Sequence, residues 1–199
     1  SFLNINYEKP GDTSIQDKFF KGTKILEDQK FCKKYMGQFS VISITLKDVL
    51  GDDFESAYLK LAEVVSAKAN EFSFLKESPY LNEMEKAKFN LLCDEIYLKK
   101  ADKQAISYVT SAIKSLSLML YKHFNKQVYI LIDEYDVPLA KAQEHGYHKD
   151  MVTLMSSFLG FLKDPQKDPE KDTSIISKVI LTGCLKVAKN SIFTGVNNL

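Results

Sequence analysis

Arginine and tryptophan are both missing from this chain of 199 residues, and all 27 of its basic residues are lysine. Without arginine there is no guanidinium to reach a transferring phosphoryl group in cis, and no fork to read guanine in a DNA groove. An excess of one charge is lacking too. Twenty-six acids leave a net charge of +1, so no basic field draws nucleic acid or an anionic membrane, and no direct nucleic-acid binding is expected. Cysteine is scarce: Cys32, Cys93 and Cys184 are odd in number, far apart and in no CxxC pair. That spacing argues against a disulfide framework or a structural zinc site and for a reducing, cytoplasmic setting. No apolar run approaches the ~20 residues that cross a bilayer, and no charged-then-apolar leader opens the chain, so no membrane partner is expected. None of the eight glycines is followed by lysine, so the Gly-Lys-[Ser/Thr] ending of a phosphate-cradling P-loop is absent as well.

What is present reads as one folded domain over 1–199, with 45% hydrophobic and 27% charged residues. The opening SFLNINYEKPG, without an initiator methionine, reads as the tail of a helix broken at Pro10-Gly11, as if the chain starts inside a longer protein. FSVISITL (39–46) is β-branched and aromatic, a strand. Asp52 and Asp53 then stand where an N-cap belongs, ahead of a helix whose stripe is Phe54, Ala57, Tyr58, Leu61, Val64, Val65, Ala69 and Phe72. Further helices are expected over 82–98, 103–124 and 149–162. Val128 to Ile132 is a continuous apolar strand ending in Asp133-Glu134, and SKVILTG is a third strand of the same kind, ending at Thr182-Gly183. Uninterrupted apolar runs are the pattern of parallel strands covered on both faces. Strands alternating with helices give an α/β fold, a parallel sheet flanked by helices. The run KDPQKDPEKD between them reads as a solvated loop.

Chemistry is concentrated in VYILIDEYD. An apolar strand that ends in Asp-Glu has the form of a Walker B strand, which delivers its acids to the carboxyl edge where open α/β folds bind ligands. Asp133 there suits a magnesium ion held against phosphates, and Glu134 suits the base that polarises an attacking water. The same pattern also arises where a buried strand merely ends in two exposed acids. Thr182, at the tip of a neighbouring strand, is placed to touch a γ-phosphate or the water, or simply caps the strand end. The remaining candidates read as structural. His145 and His148 lie in a turn without a third zinc ligand, Cys184 is a small buried apolar residue, and the lysine-rich helix after Asn82 shows a solvated face. No acid stands on the VILTG strand, so a nuclease site within this chain is not expected.

Four segments together, FFKGTKI (19–25), CKKYMGQFSVISITLKDV (32–49), VYILIDEYDVPLAKAQEHGY (128–147) and VILTGCLKVAKNSIFTGVNNL (179–199), resemble the predicted AAA-ATPase-like family of P-loop proteins. That resemblance implies a P-loop NTPase (AAA/ASCE-like) fold, incomplete at its N-terminus, with the P-loop upstream of Ser1. It implies ATP and magnesium as ligands, Asp133 as the magnesium-linked acid, Glu134 as the catalytic acid and Thr182 as the strand-tip sensor. Asp136 belongs to the same string with no assigned role. Lys186 stands where the family usually has arginine, which keeps the charge and loses the bidentate fork. The implied function is ATP-driven switching or remodelling, with a PD-(D/E)xK nuclease-like domain as a frequent fusion partner. The alternative is a catalytically inactive interaction scaffold on the same fold. In such folds the P-loop strand lies beside the sensor strand, and an unpaired sensor-strand edge invites self-association.

Overall fold

Residues 1–163, 166–168 and 170–184 are described by the computed structural model. The opening residues are not the tail of a helix. They run extended beside the start of the first strand, with Gly37 N–H donating to Phe2 O (3.0 Å), Phe39 N–H to Leu3 O (3.0 Å) and Ile5 N–H to Phe39 O (2.8 Å). Asparagine decides this locally. Asn4 Oδ1 accepts from Val41 N–H and from the Tyr7 hydroxyl, and Asn6 Oδ1 accepts from the amides of Glu8 and Lys9, so side chains take up bonds a helix would make within its backbone.

Two short helices, α1 (Ser14–Phe19) and α2 (Gln29–Tyr35), lead to β1 (Ser40–Thr45). Helix α3 (Phe54–Asn70) begins where Asp53 accepts the Ser56 amide at 2.7 Å. The expected helix over 82–98 is two. Its first part, α4 (Glu83–Cys93), opens with a reciprocal capping box between Asn82 and Glu85 and stops at Asp94. The Asp94 side chain then caps α5 (Glu95–Leu98). The expected helix over 103–124 is likewise split at Ser111 into α6 (Lys103–Thr110) and α7 (Ala112–Phe124). Hydroxyls crowd that joint: Thr110 Oγ1 donates to Ile106 O and Ser115 Oγ to Ser111 O, bonds that compete with the helical ladder. Strand β2 (Val128–Asp133) is followed by a helix that sequence reading did not anticipate, α8 (Val137–His145), which carries a proline in its first turn and ends at left-handed Gly146. Helix α9 (His148–Phe158) follows, shorter than the expected 149–162, with a 3₁₀ turn over Gly160–Leu162 after it. Among its described residues the charged loop is only partly solvated. Tyr121 donates its hydroxyl to Asp168 at 2.6 Å, and Lys167 bridges Ser174 just before β3 (Ile176–Leu181).

The three strands form one parallel sheet in the order β1-β2-β3, with Ser40 opposite Val128, Thr45 opposite Asp133 and Ile132 opposite Leu181. The sheet confirms the α/β class, but it is not covered on both faces among the described residues. Ile42, Ile44, Ile130 and Ile132 face α3 and α7 and are buried, whereas Ser43 and Thr45 are exposed, Leu131 is partly exposed and Ile180 is 44% exposed. An apolar run states that a strand avoids water; it does not say from how many sides. The third strand is therefore not of the same buried kind as the second.

Two predictions arise from this packing. Asp53→Ala removes the cap of the longest helix and should cost about 1 kcal/mol, read as a lower midpoint in urea. His123 Nδ1 lies 2.8 Å from the buried Ser78 hydroxyl, its ring packed against Phe74 and Phe124, and burial pushes its pKa below the usual histidine value. A depressed folded-state pKa means that the unfolded chain binds the proton more readily. Stability from this site is therefore present above the ordinary histidine pKa and is lost as pH falls through the lower folded value. Melting temperature should fall on acidification across that window by more in the parent than in His123→Asn, which thermal scans from pH 7 to pH 5 would measure.

Candidate functional site at the carboxyl edge of the sheet

Because the strands are parallel, all three end at one edge, and Thr45, Asp133 and Thr182 come out side by side there. Asp133 is the hub. Its backbone oxygen accepts from Leu46 N–H at 2.9 Å, and its Oδ1 accepts both from Glu134 N–H at 3.0 Å and from the Thr182 hydroxyl. The backbone brings the two strand ends together independently of that contact: Thr182 N–H donates to Ile132 O at 2.9 Å, and Tyr135 N–H returns to Thr182 O at 3.2 Å. Of the three sequence-derived site residues, Asp133 and Thr182 are thus in direct contact, both exposed to solvent, and Glu134 follows immediately, partly exposed.

Glu134 holds a left-handed backbone, with φ at 53°. A residue with a side chain is uncommon there, and such conformations persist where the surroundings impose them. Here they turn the chain off the strand and into α8: Val137 N–H donates to Glu134 O at 3.2 Å, and Ala140 N–H to Asp136 O at 3.0 Å.

Asp136, in the same string as Asp133 and Glu134, has well-defined surroundings. It is only 3% exposed. It stands at the N-cap of α8, yet its carboxylate makes no capping bond to that helix and instead accepts Cys184 N–H at 2.9 Å. Between them lies Gly183, where a Cβ would come 2.5 Å from Asp136 Oδ1 and 2.9 Å from Tyr135 Cε1. Burial, followed by the neighbouring Asp136 charge, raises the Tyr135 phenol pKa. An acid placed just before a proline-bearing first turn signals a helix start, which is the signal that would have located α8. Cys184 is exposed, not the buried apolar residue expected. His145 closes α8 and His148 opens α9, so both stand at a helix junction. Lys186 lies outside the described residues.

Magnesium fits the oxygens that this edge presents. The ion takes one or two carboxylates together with phosphate oxygens and waters, and does not need a cage of protein ligands. Asp133 and the Thr182 hydroxyl are such hard oxygen donors, and both are open to solvent. Among the described residues no group of three or more His, Cys, Asp or Glu side chains is placed to hold a metal, and no helix is long and apolar enough to cross a membrane.

A family model described as Predicted AAA-ATPase matches residues 1–193. No curated protein and no solved structure matches the chain.

Proposed function

The chain belongs to the predicted AAA-ATPase family, and from that premise we propose that the carboxyl edge of its sheet binds and hydrolyses Mg-ATP. The observation that carries this reading is the contact of Asp133 with Thr182 across the β2–β3 pair, with Glu134 next in the chain. In this reading Asp133 and the Thr182 hydroxyl orient the phosphate end of the nucleotide, and Glu134 accepts the proton of the attacking water. A magnesium ion bound to Asp133 supplies charge neutralisation at the phosphates. The left-handed backbone at Glu134 suits that role, since it sets the direction in which the side chain leaves the strand end. A phosphate-cradling loop is also required, and the eight glycines of residues 1–199 do not provide its sequence. The cycle would drive switching or remodelling of a partner in the cytoplasm.

Steady-state ATP hydrolysis by the full-length protein tests the reading. Turnover should depend on magnesium, and Asp133→Asn should raise the magnesium needed for half-maximal rate by about 10–100-fold. A parent protein that neither binds nor hydrolyses ATP would leave the inactive interaction scaffold as the better description.

A further inference from the structure

We propose that Asp136 is a positioning residue for this site: from the start of α8 it clamps the turn Thr182–Cys184, so that the Thr182 hydroxyl stays on Asp133. Its effect on turnover rests on the nucleotide reading above; the clamp itself does not.

Three features of the structure converge on it. A buried carboxylate must be satisfied, and this one takes a backbone N–H from the turn beyond the sensor strand although the amides of its own helix are adjacent. Gly183 leaves no room for a side chain between Asp136 and Tyr135, so the turn lies directly against the acid. The backbone bond from Tyr135 N–H to Thr182 O runs beside it, giving the turn two attachments to the segment after β2. Thr182 sits one residue ahead of the clamped Gly183-Cys184 pair. Thr182 keeps its own backbone bonds to Ile132 and Tyr135, so slackening there acts by widening the freedom of its hydroxyl about Asp133, whereas Asp133 itself remains held by Leu46 and Glu134. Asp136 is nearly enclosed while Asp133 and Thr182 are exposed, so it acts from behind the site and does not touch the nucleotide.

The test uses the full-length protein with Asp136→Ala, Asp136→Asn and Gly183→Ala, alone and combined with Thr182→Ala. Amide hydrogen exchange at Cys184 should quicken about tenfold or more in Asp136→Ala and by less in Asp136→Asn, which keeps one acceptor oxygen. The rate constant for ATP hydrolysis should fall about 10–100-fold with KM held within about twofold. In the Thr182→Ala background the same substitution should cost less than about twofold more, since residues that act through one another are not additive. Unchanged Cys184 exchange overturns the clamp, and so does a loss that multiplies fully with that of Thr182→Ala. If the parent shows no ATP turnover, the nucleotide reading fails, and the exchange data alone decide whether the clamp stands. Should Asp136→Ala not fold, Gly183→Ala asks the same question with the carboxylate intact: it must displace the turn and quicken Cys184 exchange, and failure to do so counts against the proposal.

Discussion

Glu134→Gln in the full-length protein should bind ATP at least as tightly as the parent while hydrolysing it about 10²–10⁴-fold more slowly, the contribution of a positioned general base. The carboxamide is nearly isosteric with the carboxylate and differs in two respects: it cannot take a proton from water, and it carries no charge. If Glu134 is the base we propose, losing the proton acceptor slows the chemical step. Losing the charge relieves repulsion with the nucleotide phosphates, so affinity holds or improves. The strained backbone at Glu134 is untouched, because the substitution begins beyond Cβ. Asp133→Asn should behave differently, shifting the magnesium requirement as well as the rate, since that carboxylate is the one oriented by the Thr182 hydroxyl and the Glu134 amide. Single-turnover hydrolysis together with nucleotide titration separates the two variants. Parental turnover in Glu134→Gln would move the base elsewhere on the sheet edge.

The parts of this site that were readable in the sequence share one property: each is a local pattern. VYILID announces a strand and its end by composition alone, and VILTG does the same, so two neighbouring strand tips and their residues Asp133, Glu134 and Thr182 were in reach. Asp136 was visible as a residue but not as a contact, because the turn it holds lies 48 positions further along the chain. The breaks at Asp94 and Ser111 escaped for a related reason. Apolar residues keep helical spacing through both points, and what interrupts the helices is a side chain bonding to backbone, which periodicity does not record. At the N-terminus the asparagines outweigh the apolar spacing once Val41 is near enough to bond, a pairing across 37 positions. Coverage of the sheet was illegible for a different reason. Hydrophobic strands report their own composition, and how many helices lie on each face is a property of the connections between them.

That last point has the largest consequence for stability. Ile132 and Leu131 are adjacent on β2 and point to opposite faces of the sheet. Ile132 is 1% exposed, packed within the core that α3 and α7 cover, and its truncation to alanine removes buried methyl groups and leaves a cavity. The expected cost is about 2–5 kcal/mol. In a domain of this length that lowers the melting temperature by roughly 4–20 °C. Leu131 stands on the face left partly open, between Ser43 and Ile180, so part of its side chain already meets water in the folded state and less burial is lost on truncation. Leu131→Ala in the 199-residue chain should therefore destabilise by clearly less than Ile132→Ala, although both delete aliphatic carbon from the same strand. Paired denaturant melts of the two variants measure the difference. Equal costs would mean that the second face is covered after all, as a fully wrapped parallel sheet requires, and the exposure of Ile180 would then have to be abandoned along with it.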